Sequence, residues 1–296
     1  MLNIEVSESE KLIDKDRIIN ARNFCEDVKI NEADAICLGA GAGLSTAAGI
    51  NYGKTNFNNN FKELVKHYGF TDMYTSSFYD FETEEEKWSY WAKHINYLCL
   101  SIEATDTYKK LFKLLKNKNY FVLTTNVDRQ FIKAGFDFNK VFEIQGCLTK
   151  IQCSKACHDK LYDNTDMIKE MLKHNEGIKI PSNLVPKCPE CGENMEVNLR
   201  KDNFFVEDDY WRLHENSYEK FIQNNKNKKI LFIEIGAGFN TPGIIRYPFE
   251  DMTYHFNNAY LIRINDKFSN VPNDINDKAI GIKEDINVVI DYLMDK

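Results

Sequence analysis

The stretch Ala35-Ile36-Cys37-Leu38-Gly39-Ala40-Gly41-Ala42-Gly43-Leu44-Ser45-Thr46-Ala47-Ala48-Gly49-Ile50 constrains this chain more than any other. An apolar run meets glycine at every second position, Gly39, Gly41 and Gly43, and a serine and a run of small residues follow. That order predicts a buried strand, a tight turn and the start of a helix. Glycine lets a backbone approach a phosphate closely, and a helix start offers free N–H groups and the positive end of its dipole. Gly39 to Gly49 is therefore expected to cradle the diphosphate of a dinucleotide. Close packing of one backbone on another is the alternative reason for such glycines. The spacing is not that of an ordinary dehydrogenase. From Gly41 it runs Gly-x-Gly-x-x-Thr, and residues 51–61 are polar and asparagine-rich. A dehydrogenase would have a strand ending in an acidic residue about twenty residues on.

The remaining apolar runs repeat the same grammar. Tyr120 to Thr125 is expected to be a strand ending at Asn126-Val127-Asp128, and Val141 to Gln145 one ending at Gln145-Gly146. Lys229 to Gly236 ends in a second Gly-Ala-Gly, and Tyr260 to Ile264 ends at Asn265. Helical spacing of apolar residues predicts helices over Ser9–Asn31, Glu84–Ser101, Asp106–Asn117, Asn216–Asn225 and Asp285–Asp295. In the second of these Trp88, Trp91, Ile95 and Leu98 face inward; in the third, Leu111, Leu114 and Leu115 do. Strands alternating with helices indicate an α/β fold, a Rossmann-like parallel sheet with helices on both faces. Gly41, Asn126, Gln145, Gly236 and Asn265 then share the C-terminal edge of that sheet, where open α/β sheets bind ligands.

At 296 residues and 43% hydrophobic content the chain can bury a large core. We expect residues 1–150 and 201–296 to form the Rossmann-like domain, with an aromatic and helical insertion at about 54–103, and residues 151–200 to form a small metal-binding module. A net charge of −7 argues against a nucleic-acid partner. No apolar run reaches the length of a membrane span, and the polar start, Met1 to Asp16, has no signal-peptide core. Eight cysteines then point to a reducing, cytoplasmic setting, with thiols or metal rather than disulfides.

Four of the cysteines fall in two close pairs. Cys153-x-x-x-Cys157 is followed, after thirty residues, by Cys188-Pro-Glu-Cys191-Gly192. Two such pairs suit a closed, tetrahedral, structural Zn2+ site of four thiolates. The first pair has one residue more than usual between its cysteines, and His158 stands as a competitor to Cys157. Cys25, Cys37 and Cys99 lie in apolar stretches and are expected in the core.

Together these features resemble the sirtuins over nearly the whole chain. Gly41 to Ile50 is similar to the first NAD motif of that family, Thr124-Thr125-Asn126-Val127-Asp128 to its Thr-Gln-Asn-Ile-Asp motif, and Gly236-Ala237-Gly238 to its Gly-Thr-Ser turn. The resemblance implies NAD as co-substrate. It implies contacts from Gly41, Ala42, Gly43, Ser45, Gly49, Asn126, Asp128, Gln145, Gly236, Ala237, Gly238, Asn265, Asp285 and Ile286. The departures are informative. Asn51-Tyr52-Gly53-Lys54 replaces Pro-Asp-Phe-Arg, Thr125 replaces a glutamine, and Gln145 replaces the deacylase histidine. Leu199 to Glu207 stands where a Phe-Gly-Glu peptide clamp is usual. With Tyr68-Gly69-Phe70-Thr71-Asp72-Met73-Tyr74, these changes resemble the macrodomain-linked (class M) microbial sirtuins. That subgroup implies protein ADP-ribosylation of a lipoylated glycine-cleavage H-like protein, with a separate macrodomain hydrolase and a lipoate ligase as associated proteins.

Residue chemistry favours the same outcome. Cleaving nicotinamide from ribose creates an oxocarbenium-like centre, and a deacylase then needs a base for a ribose hydroxyl. The amide of Gln145 cannot take that proton at neutral pH; it can only orient by hydrogen bonding. Asn126 and Gln145 are therefore expected catalytic residues; Arg200 reads by residue type as a surface ion pair and joins them as catalytic only on the resemblance, where its planar fork of donors would orient NAD or the target. A weak sirtuin-type lysine deacylase and a non-enzymatic NAD or ADP-ribose binding module are the alternatives.

Overall fold

The protein is described here by a computed structural model covering residues 30–50 and 61–294. The helix expected over Ser9–Asn31, with Cys25, lies outside these residues except for its last two positions, which form a turn. Asn51 to Lys54 also lies outside them.

The described strands are, in chain order, β1 (Ala35–Ala40), β2 (Tyr120–Thr124), β3 (Val141–Glu143), β4 (Gly146–Cys153), β5 (Tyr162–Asp163), β6 (Met195–Leu199), β7 (Ile230–Ile235), β8 (Tyr260–Ile264) and β9 (Ala279–Ile282). One sheet is parallel, in the order β3-β2-β1-β7-β8-β9. Strand order reverses between β1 and β7, so the crevice of a doubly wound sheet opens beyond their C-terminal ends. β1, β2 and β7 are buried at every position, which is why they read as almost wholly apolar runs, broken in β7 by Glu234. Alternate residues of β1 serve opposite faces. Ile36, Leu38 and Ala40 pack with Tyr108, Leu111, Leu115, Val289 and Ile290, whereas Cys37 packs with Trp211, Phe232 and Phe249.

Helices cover both faces. The principal ones are α1 (Ala42–Ala47), α2 (Lys62–Tyr68), α3 (Met73–Ser76), α4 (Glu84–Ile95), α5 (Asp106–Leu115), α6 (Gln130–Lys133), α7 (Thr165–Lys173), α8 (Asp209–Asn225), α9 (Arg246–His255) and α10 (Ile286–Met294). Several boundaries differ from the expected ones. α4 gives way to a π turn over Asn96–Ser101 before the expected end of that helix. α8 begins seven residues before Asn216, because the Asp208 side chain caps it by accepting from the Trp211 N–H at 2.9 Å. In α5, Leu114 is only half-buried, while Leu111 and Leu115 face the core. Thr125 and Gln145 have left their strands.

A second lobe is built on the antiparallel sheet β5-β4-β6. Its core joins two segments far apart in sequence. Phe61, Leu64, Met73, Trp88, Trp91, Ile95 and Leu98 pack with Leu148, Ile151, Ile168, Met171, Met195 and Val197. The aromatic stretch and the cysteine-bearing stretch therefore share one hydrophobic centre. Lys87 of α4 also pairs with Glu196 of β6 at 2.7 Å.

The parallel sheet carries one buried charge cluster. Glu234 of β7 lies opposite Arg263 of β8, and both are fully buried. Arg263 Nε and Nη2 each donate to Glu234 at 2.8 Å, and Arg246 Nη1 donates at 3.1 Å. Burial pushes the Glu234 carboxyl up, and the two guanidiniums oppose that shift. Arg246 and Arg263 also donate to the carbonyls of Phe268 and Asn270, which anchors the loop after β8.

Candidate functional site

The two Gly-Ala-Gly turns meet at the crevice. A Cβ on Gly41 would lie 2.7 Å from the Gly236 oxygen, and one on Gly43 would lie 2.7 Å from Gly236 Cα. Gly236 has φ +64°, and a Cβ there would sit 2.3 Å from the Leu44 nitrogen. The Gly43 N–H donates to the Gly236 carbonyl at 2.9 Å. Backbone packing thus accounts for Gly41, Gly43 and Gly236, and it locks together two turns that face the same crevice. Ala42 is exposed at the mouth of this junction, Ala237 and Gly238 continue its other side, and Gly49 closes the turn after α1.

Beneath the junction, polar side chains converge in a nearly dry setting. Asn126 is 5% exposed, Asp128 1%, and Ser45 and Tyr108 0%. Asn126 Nδ2 donates to the Gly41 carbonyl at 3.1 Å and to the Tyr108 hydroxyl at 3.2 Å. The Ser45 hydroxyl lies 2.8 Å from that of Tyr108 and donates to Asp128 Oδ2. Asp128 Oδ1 accepts from the Gln130 N–H at 3.1 Å. The backbone is held as well: Thr124 Oγ1 accepts from the Asn126 N–H and donates to the Ala40 carbonyl, both at 3.0 Å. Asn126, Asp128 and Ser45 are candidates on sequence grounds; Tyr108 is not. Its one sequence signal is a phenol on the apolar face of α5, between positions that pack into the core.

Gln145 lies in the turn between β3 and β4, half-buried, where the chain leaves the parallel sheet for the second lobe. Its carbonyl accepts from the Arg200 N–H at 3.0 Å, just past the end of β6, where the chain leaves the antiparallel sheet. The turn needs Gly146, which has φ +98° and no room for a Cβ beside the Asn198 carbonyl. The Arg200 guanidinium is directed elsewhere. It pairs with Glu207 at 2.5 Å and lies 4.4 Å over Phe205 and 5.2 Å over Trp211, with its side chain 39% exposed. Among the described residues no hydrogen bond joins it to Asn126 or to the Gln145 amide.

A second ion pair adjoins Gln145. Arg129 Nη1 donates to Glu143. Burial lowers the guanidinium's pKa, but Glu143 outweighs that and holds it above its ordinary range. Burial in turn raises the Glu143 carboxyl against the pull of Arg129. A cleft of about 390 Å³ lined by Arg129, Glu143, Gly146, Cys147 and Trp211, among others, adjoins the same turn.

The expected NAD contacts Asn265, Asp285 and Ile286 have structural partners. Asn265 Nδ2 donates to the Ala237 carbonyl at 2.9 Å, and its Oδ1 accepts from the N–H groups of Lys267 and Phe268 at 3.0 Å. It therefore staples the β7 turn to the β8 loop. The Asp285 carboxylate caps α10 by accepting from the Asn287 N–H at 2.8 Å, and Ile286 is buried in the core. The neighbouring Asn287, not anticipated from sequence, accepts from Thr107 at 2.6 Å and donates to the Ala47 carbonyl at 2.7 Å. It ties α10 to α5 and α1.

The four cysteines meet. The Sγ atoms of Cys153, Cys157, Cys188 and Cys191 all lie within 4.8 Å of one another. Two of the separations, Cys153 to Cys191 and Cys157 to Cys188, are 3.6 Å. A tetrahedral zinc with Zn–S bonds near 2.3 Å requires thiolates about 3.8 Å apart, so the set fits that ion. The extra residue of the first pair is absorbed at Ala156, whose φ of +46° turns Cys157 back toward the others. His158 stays outside the four. Its Nε2 lies 3.5 Å from Cys188 Sγ and 3.2 Å from the Tyr162 hydroxyl, as an outer-shell partner would.

The model of the Sir2 family matches residues 41–239. Over 262 residues the chain is 36% identical to the protein ADP-ribosyltransferase of Staphylococcus aureus (strain Mu50), covering 88% of this chain and 83% of that protein. A probable bifunctional ADP-ribose hydrolase/ADP-ribosyltransferase of Fusarium oxysporum f. sp. cubense is 30% identical over 238 residues. That alignment covers 75% of this chain but 38% of the fungal protein. Among solved structures, a Sir2 protein bound to a propionylated peptide superposes with a TM-score of 0.56 at 20% identity, covering 94% of this chain and 98% of the other. A Sir2 homologue in complex with NAD superposes with a TM-score of 0.53 at 16% identity, covering 90% of each chain. These structural likenesses speak for the fold. The family match runs from the first glycine turn, through the whole cysteine-bearing segment, to the second glycine turn, and on that extent the chain belongs to the Sir2 family, the sirtuins.

Proposed function

We propose that this chain is an NAD-dependent protein mono-ADP-ribosyltransferase. The observation that carries the reading is Gln145, at the crossing between the lobes, where the deacylases of the resembled family have a histidine. Support comes from the 36% identity to a protein named protein ADP-ribosyltransferase. In the proposed reaction the bond between ribose C1′ and the nicotinamide nitrogen breaks, and nicotinamide leaves with the bonding electron pair. A nucleophile of the target protein then bonds to C1′ and gives up its proton. The junction of Gly41–Ser45 with Gly236–Gly238 would hold the diphosphate, with Ala42 at its mouth. Asn126 and Asp128 would orient the nicotinamide ribose. Gln145 supports this transfer because ribosyl transfer needs its substrate oriented and water excluded, which an amide can help to do. Deacylation also needs a base, and lacking one costs about 10²–10⁴-fold in that step. Arg200 would steer the target from its aromatic shelf. The four thiolates would hold Zn2+ as a closed structural site, which supplies folding energy and no chemistry.

As target we propose a lipoylated glycine-cleavage H-like protein, with a separate macrodomain hydrolase to reverse the modification and a lipoate ligase to prepare the acceptor. A cytoplasmic location suits free thiolates. Among the described residues no helix is long and apolar enough to cross a membrane. The test is incubation with NAD labelled in its adenylate half and an H-like protein, lipoylated or not. Label is expected on the lipoylated form, with stoichiometric nicotinamide release. Absence of label on every candidate, together with robust acyl release from lysine peptides, would overturn the reading in favour of a deacylase.

A further inference from the structure

Tyr108 is fully buried in the apolar face of α5, packed edge-on to Phe131 at 4.9 Å. A phenylalanine would fill the same space, and a hydroxyl so deep is costly unless it is bonded. Both partners of this hydroxyl, Ser45 and Asn126, belong to the candidate site. Counting donors fixes the direction of every bond. The Gly41 carbonyl only accepts, so the Asn126 atom facing it is Nδ2. That amide nitrogen also faces Tyr108, so the phenol oxygen accepts from it. Ser45 gives its single proton to Asp128, so Ser45 Oγ accepts from Tyr108. Burial, with the Asp128 charge added, pushes the phenol well above its ordinary range, so it keeps the proton it must donate. The chain of bonds runs one way, from Asn126 through Tyr108 and Ser45 to the Asp128 carboxylate. Both amide protons of Asn126 are engaged, and its Oδ1 has no partner among the described residues.

We infer that Tyr108 is a positioning residue of this site, holding Asn126 so that its carbonyl oxygen, and not its amide nitrogen, is offered to an O–H or N–H donor on the nicotinamide-ribose half of NAD. The inference rests on the proposed NAD reading for its ligand, but not for the relay itself. A relay of this kind also couples Ser45 to Asn126, two residues that share no hydrogen bond with each other.

The test is Tyr108→Phe, which keeps the ring and removes the hydroxyl. With asparagine side chains labelled in 15N, the Asn126 amide pair is assigned by its loss in Asn126→Ala. Wild type should show slow hydrogen exchange at that amide, and Tyr108→Phe should speed it about tenfold, the equivalent of one net hydrogen bond. Ser45→Ala should speed it as well, although it removes no atom bonded to Asn126. Nicotinamide release at saturating NAD should fall about 100-fold in Tyr108→Phe, the cost of a misplaced contact. Binding of AMP, which probes only the adenosine half, should stay within about twofold. Unchanged exchange at Asn126 in Tyr108→Phe, or an equal loss of AMP binding, overturns the relay. If wild type releases no nicotinamide, the NAD-cleavage reading fails, and the relay is still judged by exchange at Asn126. If Tyr108→Phe does not fold, Ser45→Ala carries the exchange test alone.

Discussion

The parallel-sheet lobe and the aromatic–cysteine lobe reach a dry core by different routes. In the first, apolar runs such as Ala35–Ala40 pair side by side and are roofed by helices, so each strand is satisfied by neighbours on both faces. In the second, a sheet with a two-residue edge strand is closed by Trp88, Trp91, Ile95 and Leu98 from a distant segment and by four cysteines. So small a sheet is marginal by itself. The first lobe should therefore depend on continuous burial and on its internal ion cluster, and the second on its four-cysteine cluster and its aromatic brace. Gln145 and Arg200 lie where the chain crosses from one lobe to the other and back, so the site inherits the rigidity of both.

The strongest way to break this comparison is to disrupt the four-cysteine cluster and remove the zinc it is proposed to hold. Structural zinc contributes on the order of 10 kcal/mol to small domains that depend on it. Cys188→Ser, or chelation, should release about one zinc per chain and abolish amide protection in β4 and β6, while β1 and β7 stay protected. Metal content and hydrogen exchange read the outcome; equal loss in both sheets would erase the distinction. In the other lobe, Glu234→Gln removes the carboxylate shared by Arg263 and Arg246. Two buried guanidiniums then share only the partly exposed Glu250, which lies 2.6 Å from Arg263, at a cost of up to about 3–5 kcal/mol. Urea unfolding should show that loss, and the loop at Phe268–Asn270 should gain exchange.

A smaller effect concerns pH. His94 of the second lobe is buried against Trp91, and burial lowers its pKa from the ordinary 6.5 to about 3. The folded chain keeps it neutral, while the unfolded chain takes up a proton as pH falls below 6.5. Stability from this residue is thus complete above pH 6.5 and declines toward pH 3, by about 2 kcal/mol at pH 5. His94→Phe should flatten the acid side of the stability profile between pH 7 and 5; an unchanged slope would discount His94 as the cause. Smallest of all is Arg200→Ala. Its pair with Glu207 is 39% exposed on each side, so stability should change by less than about 1 kcal/mol. A large fall in target labelling without that instability would assign Arg200 to the reaction, and no fall would leave it a surface pair.

The same contrast explains what was legible beforehand. β1, β2 and β7 were readable because strands buried on both faces are predominantly apolar, with Glu234 the one charge among them. β9 was not, since Ala279-Ile280-Gly281-Ile282 is four residues long and contains a glycine pressed against the Ser269 carbonyl. The first seven residues of α8 were missed because Asp208 acts as a cap at a place with little apolar periodicity. The cysteine pairs were legible as a set, but that Cys157 rather than His158 completes the four was decided by the packing around them.

Local sequence determined the strand–turn–helix start, the polar residues at strand ends and the four thiolates, because each follows from residue type and spacing within one short segment. Tertiary structure alone decided the rest. Gly41 and Gly43 are glycines because the backbone at Gly236 lies against them, nearly two hundred residues later. Tyr108 joins Ser45 to Asn126 because three separate elements converge beneath that contact. The Arg200 guanidinium turns to Glu207 because Phe205 and Trp211 form a shelf under it. These are contacts between segments, and their short range makes them depend on how the elements pack rather than on the order in which they occur.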